Sequence, residues 1–205
     1  MKSAKIRLSE EEQLLVCNGD WILTKNRVLD AVSLFLADLQ AEQSRWLRDQ
    51  APGLPPSILT IPAKVSKGEQ YLGLPYRILD YPRIFSSADI FAVRTFFWWG
   101  HYFNVTLQLA GHWKKQTEAS LIAALADIKE ENLYICTGTD PWQHHFTDDY
   151  YQPVRTLNSA EWEKIILEQA FIKLSCRQEL SDWEQMGERL LADFGRLIRL
   201  TGYTG

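Results

Sequence analysis

Between residues 91 and 109 the chain alternates. Odd positions read Phe91, Val93, Thr95, Phe97, Trp99, His101, Phe103, Val105, Leu107 and Leu109, while even ones include Arg94, Tyr102, Asn104, Thr106 and Gln108. A period of two belongs to a strand with one buried face and one mixed face. The run exceeds the usual strand length of about 5–6 residues, and Gly100 marks where it turns. A turn at Trp99-Gly100-His101 pairs Trp98 with Tyr102 and Phe97 with Phe103, and holds Val93, Val105, Leu107 and Leu109 on one side. A two-residue Gly100-His101 turn instead sets Arg94 beside Leu107. Burial therefore selects an odd-length turn or an unbroken, bent strand.

Helical spacing flanks this block. Ser9 and Glu12 form a capping box ahead of Leu14, Leu15 and Cys17, and Asn18-Gly19 stops that helix. From about Thr24, Val28, Val32, Phe35, Leu39 and Trp46 recur on one face as far as Pro52-Gly53. Short β-prone runs follow at 57–61 and 76–79, with Ser66-Lys67-Gly68 as the turn between them. Pro62, Pro75 and Pro82 mark these as edge or irregular strands.

After the hairpin, a helix opening at Thr117 carries Leu121, Ile122, Leu125 and Ile128, and residues 133–137 read as a strand. Ser159 caps a helix expected to run to 179, with Trp162, Ile165, Ile166, Ala170 and Leu174 on its apolar side. Ser181 and Glu184 open a helix over 181–201, whose stripe includes Trp183, Met186, Leu190, Phe194, Leu197 and Ile198. The fold class is α+β: a mainly antiparallel sheet from the middle of the chain, covered by N- and C-terminal helices. With no long Gly/Ser or Pro-rich linker, residues 1–205 are expected to form a single domain.

Composition narrows the function classes. Hydrophobic residues make up 46% of 205 and aromatic residues 12%, enough for a substantial core without metal or disulfide staples. The formal charge of −4 gives no basic nucleic-acid footprint, so no nucleic-acid partner is expected. The segment around Phe96–Trp99 is too short to cross a bilayer, and no membrane partner is expected. The basic start at Met1–Arg7 is followed by no apolar leader, which gives a cytoplasmic expectation. Cys17, Cys136 and Cys176 are too widely spaced for a disulfide framework or structural zinc site, and read as packed, reduced thiols.

Candidate chemistry concentrates in one stretch. His101, His112, His144 and His145 are all of the histidines, and Trp98, Trp99, Trp113 and Trp142 lie among or beside them. Imidazole suits proton transfer or metal binding near neutral pH, and indole offers a flat apolar wall with one donor. A ligand site is expected to draw on Trp98, His101 and Tyr102 at the hairpin turn and on Trp142, His144, His145 and Tyr150 in the loop after the 133–137 strand. The leading reading is a small-ligand or protein-binding surface rich in aromatic and histidine side chains.

One alternative is a metal-assisted hydrolase using the 140–149 loop, where His144/Asp148 and His145/Asp149 are four apart and share a face if helical. Another is a non-catalytic interaction subunit docking through the apolar stripe at 181–200. Neither a catalytic set nor a cofactor is identified, and no metal site is assigned. Among Tyr76, Arg77, Asp80, Arg83 and Arg94, an anion site competes with a cross-strand pair between Asp80 and Arg83 or Arg94.

Overall fold

A computed structural model describes residues 6–128 and 132–204. The basic segment at 1–5 lies outside them. The N-terminal helix α1 (Glu10–Val16) is followed by the long α2 (Gly19–Gln50). Strands β1 (Lys64–Tyr71), β2 (Leu74–Phe85), β3 (Ile90–Trp98) and β4 (Tyr102–Ala110) form a meander. Helices α3 (Gly111–Ala123) and α4 (Leu125–Ile128) lead to β5 (Leu133–Cys136) and β6 (Tyr151–Pro153). The chain closes with α5 (Ser159–Glu168), β7 (Phe171–Glu179) and α6 (Met186–Arg199). Among the described residues these strands make one sheet in the order β1-β2-β3-β4-β7-β5-β6, with every neighbouring pair antiparallel.

The hairpin register is the one that burial requires. Trp98 pairs with Tyr102, Phe97 with Phe103 and Val93 with Leu107. Gly100 sits in the left-handed region at φ 75°, which a residue without Cβ adopts at little cost, and the His101 N–H closes the turn on the Trp98 carbonyl at 3.1 Å. One sheet face therefore gathers Phe91, Val93, Phe97, Phe103, Val105, Leu107 and Leu109 with Ile172 and Leu174 of β7, all essentially inaccessible. Helix α2 packs on β2, α6 on β4 and β7, and α3 on β3 and β4. This face is the core.

Four expectations are corrected. Residues 57–61 do not form a strand: Pro56–Leu59 is a 3-10 turn, with Pro56 at its first position where no N–H is required. Ser66-Lys67-Gly68 lies within β1, and the chain turns later, at Leu72-Gly73. Gly68 is needed there for space, because a Cβ would stand 2.3 Å from the Tyr76 ring. The helix expected to reach 179 stops at Glu168, and the next residues supply β7, which pairs with both β4 and β5. Its Ile172, Leu174 and Cys176 face the core while Lys173, Ser175 and Arg177 take the other side, a period of two hidden by the four-residue spacing of Trp162, Ile166, Ala170 and Leu174. The last helix begins at Met186 rather than 181, and its stripe is covered: Leu190, Phe194, Leu197 and Ile198 are fully buried. That leaves the helical part of the stripe closed to docking, while Trp183, ahead of the helix, stays 46% exposed. Cys136 and Cys176 are buried and packed as expected, whereas Cys17 is exposed against that expectation.

Leu107, with no accessible surface, lies at the centre of the core face. Leu107→Asp places an unpaired charge there, which costs several kcal/mol or more and takes up a large fraction of a domain's ordinary stability of about 5–15 kcal/mol. The variant is expected to show no cooperative thermal transition by circular dichroism. A soluble, sharply melting Leu107→Asp protein contradicts this packing.

Candidate functional site

The second sheet face is built from polar rows. Asp80, Arg94, Thr106 and Ser175 lie side by side across β2, β3, β4 and β7, and the next rows bring Phe96, Asn104 and Arg177 together, then Trp98, Tyr102 and Glu179. Asn104, Thr106 and Gln108 all belong to this face. All three are buried, because the segment from Thr137 to Tyr150 folds across them. Thr106 meets the Ser175 hydroxyl at 2.7 Å, and Asn104 donates to the His144 carbonyl at 3.5 Å. Asp80 takes Arg94 rather than Arg83: two contacts, at 2.7 and 2.9 Å, make a bidentate ion pair.

Sheet side chains bind the covering loop through its backbone. The Lys173 ammonium donates to the carbonyls of Pro141 at 2.9 Å and Gln143 at 2.5 Å. Tyr102 Oη accepts the Phe146 N–H at 3.1 Å and donates to the His144 carbonyl at 3.4 Å. Tyr71 Oη accepts the N–H groups of His144 at 2.7 Å and His145 at 3.2 Å. Its single proton then goes to His145 Nδ1, 2.9 Å away, which puts that ring's own proton on Nε2. His144 Nε2 faces Arg94 Nη1 at 2.9 Å. A guanidinium only donates, so Nε2 accepts and Nδ1 carries the proton.

Burial sets the ionisation of this layer. Burial, reinforced by the positive charges of Lys173 and Arg94, pushes His144 down to about 2, so the ring is neutral at physiological pH. Burial likewise lowers Lys173 to about 8 and raises Tyr102 to about 12. It also raises the Cys136 thiol, which opposes its use as a nucleophile.

An open cleft of about 440 Å³ lies beside this layer, lined by Leu72, Trp98, Gly100, His101, Tyr102, His145, Phe146, Thr147, Arg177 and Glu179. Trp98 and the exposed His101 form one wall, stacked with ring centroids 3.6 Å apart and planes 13° apart. The Arg177 guanidinium stands 5.5 Å from the Tyr102 ring centre and 5.9 Å from that of Phe146, and bonds Glu179 at 2.7 Å. Of the residues singled out from the sequence, Trp98, His101, Tyr102 and His145 border this cleft. His144 lies buried against Phe96 and Arg94, and Tyr150 touches the His145 ring at 5.5 Å. Trp142 packs on Phe85 instead, and His112 is held by its backbone to Asp89.

Arg177 and Glu179 were missed because β7 was read as helix. Their signal was the alternation of Lys173, Ser175 and Arg177 with apolar neighbours. A larger concavity of about 530 Å³, lined in part by Trp46, Asp127, Arg196 and Arg199, contains none of the histidines.

The metal-assisted reading loses its geometry. The 140–149 segment is not helical, so the four-residue spacing of His144/Asp148 and His145/Asp149 does not create a shared face. Among the described residues, no group of three or more His, Cys, Asp or Glu is placed to hold a metal ion. No helix of the described residues is long and apolar enough to cross a membrane.

His144 gives a pH test. Its folded value lies below the ordinary value of 6.5, so below pH 6.5 the unfolded chain binds a proton that the folded chain refuses. Stability contributed by the neutral ring is present above pH 6.5 and drains away as pH falls toward 2, with a limiting slope of about 1.4 kcal/mol per pH unit. Urea unfolding at pH 7 and pH 5 is expected to show wild type losing about 2 kcal/mol more than His144→Asn, which has no proton to take up. Equal losses in the two proteins contradict the buried, neutral assignment. Searches against protein-family models, curated proteins and solved structures return no match to the chain.

Proposed function

We propose that the protein binds a small, planar, anionic ligand in the cleft between the hairpin turn and the covering loop. The observation that supports this reading is the meeting there of two distant segments, Trp98–Tyr102 and His145–Thr147, around Arg177. The Trp98–His101 pair offers a flat surface for stacking. Arg177 supplies a forked donor suited to a carboxylate or phosphate, and His145 an Nε2–H. The rigid sheet and the pinned loop hold these groups before any ligand arrives, which limits the ordering cost of binding.

A titration followed by long-range proton–nitrogen NMR of the histidine rings tests the reading, with salicylate, nicotinate and adenosine 5′-monophosphate as probes. At least one probe is expected to shift His101 and His145 while leaving His112 unmoved. Arg177→Gln is expected to weaken that binding by about 10-fold or more, the scale of one hydrogen bond to a charged group. No shift at either ring up to millimolar probe, or a shift indifferent to Arg177→Gln, sinks the proposal.

A further inference from the structure

Among the described residues, helix α1 has well-formed ends but packs on nothing beyond its junction with α2. Ser9 and Glu12 cap it reciprocally, at 3.2 and 2.7 Å, and Asn18 caps α2 by accepting the Trp21 N–H at 3.3 Å. None of the α1 residues is buried. Isolated helices shorter than about 12–15 residues are marginal in water, so a helix of 7 residues needs a packing partner.

The surface that lacks cover is apolar. Leu14 and Val16 are 73% and 74% exposed and Leu23 66%, and Leu15, Trp21 and Ile22 are each about half exposed. These side chains present on the order of 500 Å² of apolar surface. That is already at the scale of the largest patch on an ordinary monomer.

The order of charges selects the occupant. Along the chain, Glu10, Glu11 and Glu12 precede the first apolar group, Leu14-Leu15-Val16. Cys17-Asn18-Gly19-Asp20 separates it from Trp21-Ile22-Leu23, and Lys25 and Arg27 follow. Read backwards, the outer charges and the two apolar groups are their own complement, with Asp20 beside the centre. An antiparallel copy brings Leu14 opposite Leu23 and Val16 opposite Trp21, and sets the acidic turn of one chain against Arg27 and Lys25 of the other; Lys25 also bonds Glu69 at 2.9 Å. A parallel copy sets like charges together. We propose that this arm pairs antiparallel with the same arm of a second copy, about a two-fold axis passing between Asn18 and Gly19 and flanked by the two Cys17 residues, in an interface independent of the cleft.

Sedimentation velocity of the full chain from 1 to 100 μM tests this. A species of twice the 23.7 kDa chain mass is expected. The double variant Leu15→Glu, Leu23→Glu is expected to raise the dimer dissociation constant by at least 100-fold while leaving the near-ultraviolet circular dichroism of the core unchanged. Should that variant not fold, copper–phenanthroline oxidation of the wild type at 10 μM gives the answer, since Cys17 is exposed while Cys136 and Cys176 are buried. A disulfide-linked dimer mapping to Cys17–Cys17, and absent from Cys17→Ser, is expected. A wild type that stays monomeric to 100 μM overturns the proposal, whether or not it then floats with phosphatidylglycerol vesicles. So does a dimer that survives the arm substitutions, or one that cannot be linked through Cys17.

Discussion

A segment without regular structure lies across the second face of the sheet, and its buried backbone groups cannot be left unpaired there. Buried N–H and C=O groups without partners cost free energy comparable to lost hydrogen bonds. Three side chains from the sheet meet part of this demand. Lys173 holds two carbonyls from one side, Tyr71 holds two N–H groups from the other, and Tyr102 closes an N–H and a carbonyl between them. These side chains come from β7, β1 and β4, strands that span most of the sheet. The position of the loop is thus a property of the sheet as a whole, and the cleft beside it inherits that rigidity.

The same arrangement separates the histidines into two kinds. His144 is enclosed, kept neutral by burial, and spends its ring nitrogen on Arg94. His101 stands outside, stacked on Trp98 at the rim of the cleft. His145, one residue from His144, has its tautomer set by the hydroxyl that also anchors the loop. Adjacent residues with the same chemistry therefore contribute differently: one stabilises the layer, and the other presents a defined N–H. Arg94 and Arg177 divide in the same way, the first committed to Asp80 and His144 and the second bordering the cleft.

The α+β class and the β3–β4 register were legible because a one-residue slip moves Val105 and Leu107 from the core to the opposite face. The ends of α1 were legible because its caps are local. β7 was not, since Ala170 and Leu174 extend the spacing of Trp162 and Ile166, and only tertiary pairing decides between the two periods. The role of Lys173 is not legible even where its alternation with apolar neighbours is: a lysine reads as solvated, and the carbonyls that bind it come from a loop some thirty residues away, about the span of a βαβ unit. Half of the candidate site followed from the concentration of His and Trp in one stretch. The remainder, Arg177 above all, depended on the strand that was misread.

The central place of a late strand also sets an order of assembly on the ribosome. β4 ends at Ala110, and the strand that covers its free edge begins only at Phe171. At ordinary synthesis rates, that edge waits on the order of several seconds for its partner. During this interval a row of unpaired N–H and C=O groups, on a strand whose core-face side chains are apolar, is open to any other strand, the condition under which chains pair wrongly with one another. β5 and β6 cannot substitute, because β5 joins the sheet through β7. The nascent chain is therefore open to wrong pairing while residues 110 to 171 are made, so a holdase acting there protects it whereas slow translation there prolongs the exposure.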